Sequence, residues 1–207
     1  MTIFLILLTA AISILAFNNR ELFGKMQFNA YQVVKRNEFY RLLTHGFIHA
    51  NWPHLIVNML VLYFFGDQVE MIFRELSDND YIGNPLAMYL IFYLAAIVVS
   101  SSVSLVKHKD DIWYNAVGAS GAVSAALFFC IFFYPWELLY FYGIIPLPGI
   151  VFGVLYIVYS QYMIKRGNDN IGHEAHLLGA VFGFIFPLFI DLGLYKVFLN
   201  QLLSFSF

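Results

Sequence analysis

The chain has 207 residues, of which 61% are apolar and only 12% charged, with a net charge of −2. Ordinary soluble domains run at about 45–50% apolar and about 25% charged, so composition excludes a soluble globular fold, a disordered chain and a nucleic-acid binder. The single cysteine, Cys130, lies in an apolar run and can form no internal disulfide.

Stretches free of Asp, Glu, Lys and Arg cover residues 1–19, 42–66, 81–106, 112–136, 138–164 and 175–190. A helix needs about 17–25 such residues to cross a hydrocarbon core about 30 Å thick. The blocks are continuously apolar rather than alternating, which argues against a membrane barrel. The expected fold is therefore all-α: one polytopic, integral membrane domain over residues 1–207 with six transmembrane helices. They are predicted near 2–17, 54–73, 85–106, 117–134, 148–164 and 173–190. The first block lacks a basic start and a small-residue cleavage site, so it reads as a span and not as a signal peptide.

Between the first two spans, residues 18–53 carry Phe23, Met26, Phe28, Tyr31, Phe39, Tyr40, Phe47, Ile48 and Trp52. A segment this aromatic is expected to lie partly in the membrane interface. Residues 135–147 read as a shorter interfacial turn. Spans alternate in direction, so the second, fourth and sixth run parallel and begin on the same side. Each carries polar residues at that end: His54 and Asn58, Ser120, and His176. Polar groups in a bilayer are costly and usually face a protein interior or a wet cavity. Their shared depth predicts a single polar site, with Asn51, Trp52, His54 and Asn115 as candidates to line it.

On the second span, His54 and Asn58 are four residues apart and share a face. Both can donate hydrogen bonds to developing negative charge, as acyl transfer requires. The competing reading is a metal site made with His45 and His49, but no carboxylate accompanies these histidines and no His-Glu-x-x-His pattern occurs. On the fourth span, Gly118-Ala119-Ser120-Gly121 places a serine between small residues at a helix start. There a hydroxyl is accessible and unpaired N–H groups suit an oxyanion. The plain alternative is close helix packing. Ala122 breaks the Gly-x-Ser-x-Gly elbow of soluble hydrolases. On the sixth span, His176, Gly179 and Gly183 share a face that lets another helix approach closely. The histidine is then either a base for a serine nucleophile or a neutral buried side chain bonded to a carbonyl. Glu174 should point elsewhere on that helix, His173 should lie at the water interface, Cys130 should be core, and Gly149 and Gly153 should form a helix contact.

Together, Gly118-Ala119-Ser120-Gly121, Ala175-His176 with Gly179 and Gly183, and the spaced His45, His49, His54 and Asn58 resemble the rhomboid intramembrane serine proteases. The resemblance covers the long first loop and spans two to six. It implies Ser120 as nucleophile and His176 as general base, a dyad without an acidic third member. It implies an oxyanion hole made by His54, Asn58 and the Ser120 N–H, with Gly118, Gly121, Gly179, Gly183 and Ser124 in support. It implies no cofactor and no metal, single-span membrane proteins as substrates, the lipid bilayer as surroundings, and a cell-membrane location. Span five would move to admit substrate laterally. Arg41 matches a family arginine, although Tyr40 replaces the tryptophan before it, and Glu70 matches a family glutamate. Where well-known members carry a tyrosine that stacks on the base, this chain has Ser124, so stacking is lost; its hydroxyl is placed to bond His176 instead.

The resemblance puts the active side outside. Basic residues count the other way, nine against two, and local ion pairing is expected to blunt that count. The alternative to a protease is a catalytically silent relative that binds membrane proteins, a class that usually lacks the serine or the histidine. A transporter or channel would need mid-span charges, of which there are almost none.

Overall fold

The computed structural model describes residues 1–141, 144–167 and 172–204. Helices occupy all six predicted blocks: α1 (Thr2–Phe17), α5 (Trp52–Asp78), α6 with α7 (Pro85–Ser100 and Ser102–Lys107), α8 (Ser120–Phe133), α9 (Gly149–Arg166) and α10 (His173–Ile190). Among the described residues, three stretches are long and apolar enough to cross a membrane, namely Trp52–Asp78, Pro85–Lys107 and His173–Ile190. α1 and α8 are apolar but shorter.

Local chemistry explains the boundaries. Asn51 and Asn84 cap α5 and α6 by accepting the N–H groups of His54 and Ala87, and Pro53 and Pro85 sit in the first turns, where a missing N–H costs nothing. α5 therefore starts at Trp52 and runs to Asp78, beyond the predicted end at residue 73. The third block is broken at Ser101. There the hydroxyls of Ser100 and Ser101 donate back to the carbonyls of Ile97 and Val98, a local alternative to the helix ladder.

α8 is the hub. Every residue from Gly121 to Phe133 is buried, as expected of a helix apolar all round. Phe129 packs with Phe73 of α5, Phe92 of α6 and Phe186 of α10, and Cys130 lies in the same core. α9 is the opposite case, with only Gly149, Gly153 and Ser160 buried. Its two glycines face Ile131 and Phe128 of α8.

The long first connection is folded, through α2 (Arg20–Met26), α3 (Ala30–Arg36), α4 (Arg41–Thr44) and a 3-10 turn His45–Phe47. Arg41 is its hub: buried, it pairs with Glu38 and donates to the carbonyls of Gly24 at 2.7 Å and Gln27 at 2.8 Å. Of the basic residues on this side, Lys25, Lys35, Arg41 and Lys107 pair with Glu21, Asp110, Glu38 and Glu174.

Two features depart from the expected six-helix plan. Instead of a plain turn over 135–147, strands β1 (Leu138–Phe141) and β2 (Ile145–Pro148) pair antiparallel; residues 142–143 of that segment lie outside the described residues. Pro146 and Pro148 make a helix there unfavourable. A further helix, α11 (Leu194–Leu203), follows the last predicted span. It is held by Phe198 against Phe132 and by the Trp136 indole N–H donating to the Leu202 carbonyl.

Candidate active site

Ser120 opens α8 and His176 lies in the first turn of α10. The two helices touch backbone to backbone. A β-carbon on Gly179 would overlap the Gly121 carbonyl, and one on Gly183 would overlap the Ala125 carbonyl. The partners advance by four residues on both helices in the same sense, so the helices run parallel. A β-carbon on Gly121 would stand 3.4 Å from the Ala175 carbonyl oxygen. The residue after Ser120 and the residue before His176 therefore meet in one layer, and the glycine face of the sixth span is what permits it.

The approach to Ser120 is set by Gly118, whose φ of 118° is in the region that favours glycine. The His54 imidazole lies directly over it: a β-carbon at Gly118 would come within 2.6 Å of Cε1 and 2.9 Å of Nε2. His54 is in the first turn of α5, its own N–H held by the Asn51 cap at 2.9 Å. One turn deeper, buried Asn58 donates from Nδ2 to the His54 carbonyl at 2.9 Å. That bond uses one of its two amide hydrogens.

The long loop clamps the same turn from the other side, a role the spacing of its histidines did not disclose. The Gly118 N–H donates to the His45 carbonyl at 2.9 Å, and the Ala119 N–H to His49 Nε2 at 3.4 Å. His49 Nδ1 lies 3.0 Å from the Ser13 hydroxyl, which itself donates to the Phe47 carbonyl. Because Nε2 accepts and the serine proton is spent, the neutral ring carries its hydrogen on Nδ1. Phe28 and Ala116 exchange both backbone hydrogen bonds, and Asn29 Nδ2 is surrounded by the oxygens of Ile112, Tyr114 and Asn115. Burial pushes the His45 pKa down to about 4. Burial, and then the neighbouring His54, pushes that of His49 down to about 3. The His49 and His54 rings meet edge to face with centroids 5.0 Å apart; among the described residues no group of three metal-binding side chains is assembled.

Of the other candidates for a wet lining, Asn51 is an exposed cap, Trp52 packs on Phe17 at 5.2 Å, and Asn115 donates to the Trp113 carbonyl. Ser124 does not bond His176. Its hydroxyl donates to the Ser120 carbonyl at 2.8 Å and lies 2.7 Å from the Tyr156 hydroxyl of α9. A serine has one hydroxyl proton, so Tyr156 is the donor in the second bond. A tyrosine thus does reach this turn, from α9 rather than α8, where no motif marked it. Glu174 pairs with Lys107 at 2.7 Å, away from His176 as expected. His173 corrects the expectation of a wet position: it is 6% exposed. Helix α10 begins at His173, so its ring lies against α9 at Tyr159 and not in the loop.

A family model described as Rhomboid domain matches residues 36–191. RHOMBOID-like protein 12, mitochondrial, of Arabidopsis thaliana is 34% identical over 152 residues, 70% of this chain and 45% of that protein. Rhomboid-related protein 2 of Mus musculus is 25% identical over 156 residues, 72% of this chain and 47% of that protein. Rhomboid-like protein 14, mitochondrial, of Arabidopsis thaliana is 27% identical over 104 residues, 49% of this chain and 30% of that protein. The chain spans less than half the length of each of these relatives.

Proposed function

The chain belongs to the rhomboid family, and from that premise we propose that it is an intramembrane serine endopeptidase with six spans, cleaving single-span membrane proteins. In this reading Ser120 Oγ attacks the scissile carbonyl while His176 accepts its proton. Negative charge on the tetrahedral oxygen is taken by the Ser120 N–H, His54 and Asn58. His176 returns the proton to the leaving amine, and a water molecule, deprotonated by the same ring, hydrolyses the acyl-enzyme. Hydrogen bonds to such an oxyanion are worth about 10²–10³ in rate each.

The observation that carries this reading is the glycine seam. Gly179 against Gly121 brings the start of α10 onto the start of α8, with the His54 ring over Gly118 beside them. Close packing alone explains the glycines, but it gives no reason for the sequence to carry a serine and an imidazole at the two helix starts that the seam joins, with a second imidazole over Gly118. Shallow placement also fits the chemistry, since hydrolysis needs water and the bilayer core has none. The site serves a cell membrane in this reading, whereas two of the relatives are named as mitochondrial.

The test is direct. The purified protein is offered a fluorescent transmembrane substrate and, separately, a serine-directed fluorophosphonate. Cleavage and labelling should both occur in the wild type and be lost in Ser120→Ala and His176→Ala. Cleavage undiminished in Ser120→Ala overturns the mechanism; absence of cleavage and labelling in the wild type supports a catalytically silent membrane-protein binder.

A further inference from the structure

A cavity of about 390 Å³ opens between the end of α1, the helix α2 and the residue Ala50 that leads into α5. Small-molecule sites run at about 300–1,000 Å³. Arg20, Phe23, Gly24 and Gln27 line it from α2, and Ala16 and Phe17 from α1. The four α2 residues follow the spacing of one helix face. A β-carbon on Gly24 would meet nothing within 4 Å, so the recess stands open over it. Buried Arg41 donates to the carbonyls of Gly24 and Gln27 and so fixes this turn of α2. Glu21 and Lys25 pair with each other on another face of α2. No acidic side chain lines the cavity, and Arg20 is its one charge. Among the described residues Arg20 has no ion-pair partner. Phe17 packs on Trp52, and such rings at the end of a span mark headgroup depth. Along α1, exposed Ile3, Leu7 and Ile14 fall on the stripe that ends at Phe17.

We propose that this cavity seats one anionic phospholipid of the active-side leaflet, with its phosphate on the Arg20 guanidinium, the rest of its headgroup in the recess over Gly24, and an acyl chain along Ile14, Leu7 and Ile3. The planar guanidinium fork matches phosphate oxygens two at a time. An ammonium headgroup finds no carboxylate in the cavity and is repelled by Arg20, so the lipid it fits has a headgroup without a cation, as in phosphatidylglycerol. A free phosphate uses the charge but not the apolar stripe. A seated lipid bridges α1 and α2, and Arg41 ties the same turn of α2 to the rest of the first loop. Occupancy therefore stabilises residues 18–53 by mass action. The proposal uses the six-span placement, in which the end of α1 reaches the headgroups, and none of the protease chemistry.

The full-length protein in neutral detergent is titrated with phosphatidylglycerol, with phosphatidylcholine and with glycerol phosphate, a headgroup without a tail. Thermal unfolding and the rate of protease cleavage within residues 18–53 are read. Phosphatidylglycerol should raise the unfolding temperature and slow cleavage saturably, at concentrations where the other two have little effect. Arg20→Gln should need about fivefold more of it, the worth of one basic residue at a membrane surface. Lys25→Gln, the same charge change on another face of α2, should respond as the wild type. Gly24→Leu fills the recess in a helix that gains from losing a glycine, so it should fold and not respond. Equal protection by phosphatidylcholine, or equal weakening in Lys25→Gln, overturns the proposal in favour of bulk lipid effects. Glycerol phosphate as potent as the lipid overturns a lipid as the occupant. A full response in Gly24→Leu places the lipid elsewhere, and a dimer that Gly24→Leu abolishes gives the cavity to a second copy; either overturns it. Absence of Ser120 labelling bears on the protease reading alone and leaves these readouts intact.

Discussion

Gly179 sits against the carbonyl of Gly121 with no space for a side chain between them. The neighbouring atoms are backbone and cannot swing aside. Gly179→Ala must therefore push α10 off α8, an overpacking cost of about 1–3 kcal/mol. The same displacement separates the helix starts that carry Ser120 and His176. Labelling of Ser120 should fall by up to about 10²-fold, since a misplacement of about 1 Å costs that much. A Gly179→Ala protein labelled at the wild-type rate, with unchanged thermal stability, would show that the seam can yield without consequence.

Ser124 and Tyr156 share one hydrogen bond between α8 and α9. Interhelical bonds of this type in membrane proteins average about 0.6 kcal/mol. Tyr156→Phe and Ser124→Ala should each destabilise by about that amount, and the double variant by less than the sum, because both remove the same bond. Additive losses in a double-mutant cycle would mean that the two hydroxyls do not interact.

His45 and His49 make stability depend on pH. Both are held neutral by burial, with folded pKa values of about 4 and about 3, below the about 6.5 of an unfolded histidine. The unfolded chain then binds more protons than the folded one between those limits. Stability should be level above pH about 6.5 and fall as the pH drops below it, by up to about 1.4 kcal/mol per pH unit for each histidine. Thermal unfolding in detergent across pH 4–7, roughly the window between those pKa values, should show a shallower slope for His49→Gln than for the wild type. Equal slopes would count against a buried neutral His49.

Arg41 holds the long loop by charge and by two carbonyls. Arg41→Ala leaves Glu38 and those carbonyls without their donor. Glu38 is partly exposed and stays solvated, so the main loss is the donors to the two part-buried carbonyls, about 1–3 kcal/mol. The expected result is faster protease cleavage within residues 18–53 and, through the clamp on Gly118 and Ala119, a loss of Ser120 labelling. Wild-type resistance to cleavage would argue that the loop is held elsewhere.

The family orientation places the segment 107–115 outside and residue 1 in the cytoplasm. Four of the basic residues on the active side are locally paired, which weakens their pull on topology. A membrane-impermeant label in intact cells should reach a cysteine placed in 107–115 and not one placed at residue 1. The reverse pattern would mean that the basic-residue count governs this chain.

Much of this protein is legible in one dimension because the bilayer makes it so. Backbone polar groups in lipid must be satisfied within their own segment, so charge-free blocks of the right length announce helices, and the expectation that spans alternate puts Ser120, His176, His54 and Asn58 on one side. The glycines at 179 and 183 likewise announce a close contact from spacing alone. What spacing could not carry is which residues meet across it. That Tyr156 reaches Ser124, that His173 is buried against Tyr159 and not wet, and that His45 and His49 grip the turn at Gly118 and Ala119 all depend on α9 and the long loop folding back over α8. Those contacts join residues in different elements, through groups with no periodicity to betray them, and only the packed structure fixes their partners.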